Sequence, residues 1–518
     1  MPGHRRRIMV SVATTSALLL TGCGGGGDDR AGDEPTGEPE RGGALVLSLG
    51  VDFQSVDPPR CGVNPNWGAC QAIYGTLLDY DAETQELVPG MAEDFTSEDG
   101  REWTLRLREG ITFSDGTPFD AEAVVFNWER AEDPANLSSA GPLFQGMTFQ
   151  VVDPLTVRVS LEEPNWTMPW ALNDDLAFIG SPAALAERGP DFANAPVGAG
   201  PFTMTSWARG TRMQLDRNPT YWDRPRPYVD SLTFASIPSE DQRFNALRSG
   251  EATVMMTLTQ GMADRAVREG FVDHPLVQLG GVGMLLSSTG GPTADPDVRR
   301  AVAMLVDNTQ ISEAVLDGDT PATTFAREGS PFYDADARYP GHDVAAAQAL
   351  IDGYRTRTGG GEVVLSYKMV SGSPREDQLA QLLQAQLQRA EGLRMEIEPV
   401  EISAFVSDLR SGNYDLIQAS INGVNPDEIY SVFHSEGPAN GAGYSNAVTD
   451  AALDRARATR DPNQRAAAYQ EAVRQVVADT GHIPFRYNTS HLLTEDTVHG
   501  VEPAFTYFFR SDRIWMEQ

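Results

Sequence analysis

Leu87-Val88-Pro89-Gly90-Met91-Ala92-Glu93-Asp94-Phe95 begins the stretch of sequence that decides the fold. Pro89-Gly90 and Asp99-Gly100 are turn signals, because Pro fixes its φ angle and Gly accepts conformations closed to other residues. After the second turn, Trp and Leu alternate with polar residues from Glu102 to Arg108. A period of two places the apolar side chains on one face, so this segment predicts a half-buried β-strand.

Working outward, strand and helix signals are mixed along the whole chain. The run from Leu155 to Leu161 alternates in the same way. Asp295-Pro296 offers an N-cap residue followed by Pro at the first helical position, and Asp461-Pro462 repeats this signal. Gly280-Gly281-Val282-Gly283 is interpreted as a plain turn rather than a nucleotide loop, because the rest of that motif is missing. The chain is therefore expected to be of the α/β class, with no clean domain cut inside the body.

The N-terminal segment has the pattern of a secretion signal. Three arginines precede an apolar stretch from Ile8 to Leu20, which is too short and too polar to span a bilayer. Leu20-Thr21-Gly22-Cys23 matches the bacterial lipobox, so residues 1–22 are predicted to be a lipoprotein signal peptide and Cys23 the lipidated residue. The alternative is an ordinary secretory signal with a chance Cys. Residues 23–43 are acidic and rich in Gly and Pro, which predicts a flexible tether to the outer face of the cell membrane.

Charge and composition exclude several functions. A formal net charge of -33 argues against nucleic acid or anionic lipid as a partner of the folded body. The chain has no His-Glu-x-x-His motif, no phosphate-cradling Gly-rich loop with Lys, and no Gly-x-Ser-x-Gly elbow. The seven histidines are scattered. We therefore expect no catalytic residues, no metal site and no cofactor, and a protein that is not an enzyme.

Cys61 and Cys70 remain once Cys23 is assigned to lipid. In an oxidising compartment, two cysteines at this spacing favour a local disulfide across a turn that contains Gly and Pro. A two-Cys metal site is the alternative, and the absence of a nearby His weakens it.

A series of sequence blocks carries a resemblance to a known family. After the opening stretch come segments with turn residues at fixed places, among them Asp115-Gly116-Thr117-Pro118, Pro196-Val197-Gly198-Ala199-Gly200-Pro201-Phe202, Asn218-Pro219-Thr220-Tyr221-Trp222, Asn245-Ala246-Leu247-Arg248-Ser249-Gly250-Glu251 and Tyr444-Ser445-Asn446. In this order they resemble the family 5 extracellular solute-binding proteins, the peptide- and nickel-type binding proteins of ABC importers. The resemblance covers nearly the whole chain after the signal.

The resemblance implies a fold and a domain division. The expected fold is the two-lobed periplasmic-binding-protein fold of type II, in the large class with an extra subdomain inserted in lobe I and two crossing strands between the lobes. By order in the chain, lobe I comprises 44–85, 195–285 and 490–518. The inserted subdomain is 86–194 and lobe II is 286–489. The expected function is to capture a solute between the lobes and deliver it, as a monomer, to cognate permease subunits.

The resemblance also implies where a solute is held. Trp67, in the loop between the two cysteines, is expected to stack on the solute, and Leu286 and Ser287 are expected near the second crossover. The remaining cleft residues are expected in and shortly after the stretch from Ile417 to Val424 and comprise Gln418, Ile421, Asn422, Gly423 and Asp427.

One departure bears on the solute. Peptide-binding relatives usually place an Asp, which pairs with the peptide's α-ammonium, at the position that Asn422 holds here. With the neutral Asn422 at this position, a buried α-ammonium has no carboxylate partner there. Asp427 is near enough in sequence to take the place of the missing Asp. Three hypotheses stay open: a receptor for a peptide or peptide-like solute; a receptor for another solute such as an oligosaccharide, a nickel chelate or an opine-like compound; and an enzyme or secreted chaperone on this fold.

Overall fold

The structure is a computed structural model that describes residues 38–62, 66–82, 84–138, 140–316, 319–421, 425–502, 504 and 508–517. The predicted signal peptide and Cys23 lie outside these residues. The strands are β1 (Ala44–Leu49), β2 (Leu78–Asp81), β3 (Glu86–Pro89), β4 (Ala92–Ser97), β5 (Glu102–Leu107), β6 (Met147–Asp153), β7 (Thr156–Leu161), β8 (Phe202–Ala208), β9 (Arg212–Arg217), β10 (Ser231–Ser236), β11 (Val254–Thr257), β12 (Val272–Leu286), β13 (Val363–Val370), β14 (Leu393–Val400), β15 (Leu416–Ser420), β16 (His482–Thr494), β17 (Val498–His499) and β18 (Trp515–Met516). The helices are α1 (Trp67–Tyr74), α2 (Ala121–Glu132), α3 (Pro182–Arg188), α4 (Glu240–Arg248), α5 (Gln260–Arg268), α6 (Pro296–Leu305), α7 (Asn308–Val315), α8 (Val344–Thr358), α9 (Pro374–Leu387), α10 (Ile402–Ser411), α11 (Asp427–Phe433), α12 (Ala447–Ala458) and α13 (Pro462–Asp479).

One mixed sheet runs through both halves of the body. Within the described residues its strand order is β14-β13-β15-β12-β16-β11-β1-β10-β9-β8. The long antiparallel strands β12 and β16 lie in the middle and pair with each other over most of their length. On its outer side β16 pairs with β11, and on its outer side β12 pairs with β15, both antiparallel. We call the β11-β1-β10-β9-β8 side the first lobe and the β15-β13-β14 side the second lobe.

The pairing of β12 with β16 is irregular where the two lobes meet. The register shifts between Val277 and Gly281, and again between Val282 and Gly283. A Cβ atom at Gly280 would lie 1.8 Å from the carbonyl oxygen of Ile421, so only Gly permits this backbone approach. The interpretation of this Gly-rich segment as a plain turn is therefore wrong, because it lies inside a strand at the crossing point.

The stretch from Leu87 to Phe95 is divided between two further sheets of the described chain. Its first residues lie in β3, which pairs with β2, and its last residues lie in β4, in a sheet with strand order β4-β5-β7-β6. The predicted alternation is confirmed in β5, where Trp103, Leu105 and Leu107 are buried and their neighbours are more exposed. The helix signals are confirmed too. Asp295 caps α6 by accepting from the Asp297 amide.

Separate apolar cores support the two lobes. The largest cluster combines the first-lobe strands with β4, β5 and β7. A second cluster lies between β13, α6, α8 and α9, and a third surrounds α12 and α13. Lobes with their own cores can move as bodies when the strands between them bend. Among the residues that the structure describes, none of the helices combines the length and the apolarity needed to cross a membrane.

Candidate functional site

The crossing strands place the candidate site between the lobes. β15 runs antiparallel to β12 and ends at Ser420, so the chain leaves the second lobe at the crossing point. There the Ile421 amide donates a 3.0 Å hydrogen bond to the Gly281 carbonyl. Ile421 itself is buried in the second-lobe core, with 2% of its surface exposed. Asn422 and Gly423 follow directly but lie outside the described residues.

Asp427 follows Gly423 a few residues later in the chain and contacts both lobes. It is the first residue of α11, and its carboxylate accepts from Arg457 Nε at 2.7 Å and Nη2 at 2.5 Å. The Thr167 hydroxyl, which comes from the segment after β7, donates to the same carboxylate at 3.1 Å. A bidentate guanidinium pair and a hydroxyl engage both oxygens. Asp427 is therefore used in closing the lobes, which weakens its expected role as a substitute partner for a solute ammonium.

The contact around Arg457 is extended by neighbouring groups. The Trp166 amide donates a 2.8 Å hydrogen bond to the Arg457 carbonyl. The Arg457 guanidinium lies 3.1 Å from the centre of the Tyr430 ring, and Arg460 covers the Trp166 ring at 5.1 Å. Each of these contacts adds an attraction between cation and aromatic face. The lobes are thus in direct contact along this edge of the cleft.

Asp174 brings an acidic group to the same region. It lies in the segment between the Met168–Leu172 turn and α3. Its Oδ1 atom is buried and has no hydrogen-bond partner among the described residues. Burial raises the pKa of the Asp174 carboxyl well above its usual range, and the charges of Asp175 and Glu428 raise this pKa further. Because Glu428 belongs to α11, carboxylates of both lobes approach one another here.

Trp67 is built into the first lobe and does not face an open cleft. It begins α1 and is 1% exposed, with its indole packed between Phe178 and Phe508. Its Nε1 donates a 3.0 Å hydrogen bond to the Asn173 carbonyl. The expectation of a loop residue stacked on solute is corrected, because Gly68 lets the Phe508 ring cover this turn of helix. Trp67 instead holds the residue that precedes Asp174.

Leu286 and Ser287 also lie elsewhere than expected. β12 continues for several residues past the crossing point, and Leu286 pairs with Leu416 at the far end of β15. Leu286 is fully buried in the second-lobe core, and the Ser287 amide donates to the Asp415 carbonyl at 2.9 Å. β12 runs on to Leu286, beyond its register shifts with β16, and this carries the two side chains away from the crossing point.

Gln418 belongs to a second group of contacts between the lobes. Its side-chain amide donates to Glu376 at the start of α9, and burial raises the pKa of the Glu376 carboxyl. The adjacent Arg375 reaches the Thr259 hydroxyl of the first lobe at 2.9 Å. The side-chain amide of Gln418 is thus engaged by Glu376 in this arrangement, and its expected role as a solute ligand stays a prediction.

The two cysteines of the first lobe are bonded in the structure. Cys61 and Cys70 form a disulfide across the start of α1, with 5.9 Å between their Cα atoms. Among the residues that the structure describes, no group of three His, Cys, Asp or Glu side chains is arranged to hold a metal ion.

The fold and the cleft define a two-lobed solute-binding protein, and comparisons with known proteins agree. The family model for bacterial extracellular solute-binding proteins, family 5 (middle), matches residues 86–443. The chain therefore belongs to this family, and the predicted family and fold class are confirmed. Membership of an extracellular family indicates a position outside the cytoplasm. The family and the structural neighbours are solute-binding proteins.

Individual relatives are distant. The chain is 28% identical to protein XP55 of Streptomyces lividans over 488 residues, 88% of this chain and 86% of that protein. It is 28% identical to the glutathione-binding protein GsiB of Escherichia coli strain K12 over 59% of this chain and 60% of that protein. Two solved structures share the fold at 23% identity. The first is the Helicobacter pylori protein DppA in complex with peptide STSA, with a TM-score of 0.81 over 92% of this chain and 99% of the DppA chain. The second is AgaA of A. tumefaciens R10 in complex with agropinic acid, with a TM-score of 0.80 over 92% of this chain and 99% of the AgaA chain.

Asp174, Thr167 and Arg457 were not predicted from the sequence. A signal for Asp174 was present, because Asn173-Asp174-Asp175 interrupts an otherwise apolar run from Met168 to Ile179. Charged pairs inside an apolar run are rarely buried without a reason. Thr167 and Arg457 carried no such signal, since their partner is far away in the chain.

Proposed function

We propose that this chain is the extracytoplasmic substrate-binding component of an ABC importer and that it captures a peptide or peptide-like solute between its lobes. Family membership supports the solute-binding role. A relative named for glutathione and a structural neighbour solved with the peptide STSA support a peptide. The observation that carries the proposal is the arrangement of the lobes, in which separate cores flank the paired strands β12 and β16 and residues of both lobes meet. Binding then shifts the population towards closed lobes, and the permease receives the closed form.

A solute ammonium is proposed to pair with Asp174. The position that usually supplies a carboxylate holds Asn422, and Asp427 is occupied by Arg457. Asp174 is an enclosed carboxylate whose Oδ1 atom lacks a partner. A solute cation beside Asp174 would offset the charge repulsion that Asp175 and Glu428 exert on the Asp174 carboxylate. Closure of the lobes is therefore favoured only when such a solute is present. Asn422 and Gly423 are proposed to offer hydrogen bonds to the neutral part of the solute.

The experiment is isothermal titration of the purified protein with a panel of tripeptides in free-amino and N-acetylated forms. We expect free-amino peptides to bind and their acetylated counterparts to bind at least about tenfold more weakly, because a charge-assisted bond is lost. Asn422→Asp is expected to strengthen binding of free-amino peptides by supplying a second acceptor. If no peptide binds in either form, the peptide assignment fails.

A non-peptide solute is the second candidate. AgaA, whose likeness to this chain is comparable to that of DppA, is solved with agropinic acid. The same titration with opine-like compounds, oligosaccharides and nickel chelates separates this candidate from the first. A role without catalysis is proposed in both cases.

Anchoring through Cys23 is part of the proposal. It is supported by the lipobox and the apolar segment before it. A Cys23→Ser variant is expected to lose its membrane attachment and remain in the soluble fraction, whereas wild-type protein sediments with membranes. Membrane-bound Cys23→Ser protein would reject the lipid assignment.

A further inference from the structure

A pocket of about 330 Å³ lies in the first lobe, away from the crossing strands. The pocket lies at the amino-terminal end of β1. The chain continues towards α1 from the other, carboxyl-terminal end of this strand. Among the described residues, its lining contains four arginines and no carboxylate: Arg41, Arg217, Asn218, Pro219, Tyr221, Arg224 and Arg226. Four positive charges around one pocket stand against the formal net charge of -33 of the chain.

Backbone carbonyl groups hold the guanidinium groups in place. Arg217 donates to the Tyr228 carbonyl at 2.7 Å and to the Val229 carbonyl at 3.1 Å. Arg224 donates to the Pro219 carbonyl at 2.9 Å. These bonds fix the side chains before any ligand arrives, which lowers the entropy lost on binding.

Carboxylates outside the lining partly offset the charge, and among them Asp512 acts on Arg226 through its charge. Asp230 pairs with Arg217 at 2.5 Å and Asp223 pairs with Arg226 at 2.7 Å. A guanidinium has five N–H donors, and for Arg226 and Arg224 the bonds given above use one donor each. Donors directed around a pocket without an acidic lining residue favour an anion.

We propose that this pocket binds a phosphate-type oxyanion. The planar fork of Arg matches the oxygens of a phosphate group in a bidentate manner, and several forks around one site give both affinity and orientation. The volume is at the lower end of small-molecule sites, so it accommodates a phosphate that carries a small substituent. Free phosphate esters and the headgroups of anionic lipids share this chemistry. The pocket includes Arg41, at the start of the described body, where the segment from Cys23 joins it.

The test uses the full chain with Cys23→Ser, so that no acyl group contributes to membrane binding. Inorganic phosphate is titrated by calorimetry. In parallel, flotation is measured with vesicles of equal parts phosphatidylglycerol and phosphatidylcholine, and with phosphatidylcholine vesicles as the blank. The variant is Arg41→Gln with Arg224→Gln. The matched control is Arg268→Gln with Arg300→Gln, which removes the same charge from exposed helix positions.

We expect the wild-type pocket to bind phosphate or the anionic vesicles, and the pocket variant to bind them at least about tenfold more weakly. The control variant should bind as wild type does, and all three proteins should have equal thermal stability. Phosphate binding assigns the pocket to free anions. Binding only to vesicles with phosphatidylglycerol assigns it to a lipid headgroup. Arg224→Lys, which keeps the charge and loses the fork, should fall between wild type and the double variant. Absence of binding in both assays, or equal loss in pocket variant and control, overturns the proposal.

Discussion

The Thr167 hydroxyl donates a 3.1 Å hydrogen bond to the Asp427 carboxylate, which Arg457 also binds, and it shares its one hydrogen with Oδ1 of Asn165 at 2.6 Å. Thr167 belongs to the segment that follows β7 and Asp427 to α11, so this bond exists only while the lobes are together. A contact formed only in the closed state contributes to the free energy of closure, and solute affinity includes that free energy.

Thr167→Val is therefore expected to weaken solute binding by about two- to tenfold, the usual range for one hydrogen bond. Val matches the shape of Thr, so packing is kept. Calorimetry measures the affinity, and small-angle scattering measures the radius of gyration of the solute-free protein, which should increase. Thr205→Val is the control, because its hydroxyl bonds to the Gln214 carbonyl within the first lobe. Unchanged affinity and radius would show that this bond does not contribute to closure.

Asp174 predicts a pH dependence of stability. Its pKa is raised in the folded protein, so its contribution to stability is present below the unfolded pKa and is lost as pH rises through the folded pKa. Asp175 and Glu428 are the charged groups that raise it after burial. Asp174→Asn should then raise the melting temperature of solute-free protein near neutral pH, and this gain should vanish towards about pH 4.

Thermal melts across this pH range measure the effect, with Asp216→Asn, an exposed carboxylate on β9, as the control. Free-amino peptides should bind the Asp174→Asn variant more weakly than wild type. A variant whose melting temperature follows that of wild type at every pH would show that Asp174 is not an uncompensated carboxylate.

The crossing point predicts sensitivity to a single methyl group. At Gly280, an added Cβ would meet the Ile421 carbonyl oxygen at 1.8 Å, and β12 would have to move away from the end of β15. Gly280→Ala should lower the free energy of unfolding by about 1–3 kcal/mol, as overpacking generally does. Urea unfolding measures it against Gly341→Ala, where a Cβ would meet nothing within 4 Å. Equal stability of the two variants would be inconsistent with the packing described at the crossing.

The Cys61–Cys70 disulfide predicts a loss of stability on its removal. A short closed loop restricts the unfolded chain, and losing that restriction costs roughly 2–3 kcal/mol. The double variant Cys61→Ala/Cys70→Ala should unfold at lower urea concentration than wild type. Non-reducing peptide mapping supplies the second check, since free thiols at both positions in freshly secreted protein would mean that the bond does not form.

Local signals in the sequence were sufficient for much of the fold. The alternation in β5 and the Asp-Pro starts of α6 and α13 depend on neighbours a few residues away, and the structure contains all three. The family blocks supplied the two-lobed architecture. The Gly-rich segment of β12 was misread because its partner, Ile421, is remote in sequence.

The candidate site was harder to predict for the same reason. Trp67 was expected to face solute because its loop is rich in Gly and Pro, but Phe178 and Phe508 cover it from distant parts of the chain. Asp427 was expected near the cleft and stays a prediction there, while its partners Thr167 and Arg457 gave no local sign. Such pairings become visible only when the lobes are assembled.

Mass spectrometry of the solute that co-purifies with the protein tests the central claim most directly. Wild type and Asp174→Asn are purified in parallel from the native host, and the extracted small molecules are identified and quantified. We expect wild type to carry a peptide or peptide-like solute with a free amino group, in near-equimolar amount, and Asp174→Asn to carry less of it. A solute without any cationic group, held equally by both proteins, would contradict the assignment of Asp174 and of the cleft chemistry built on it.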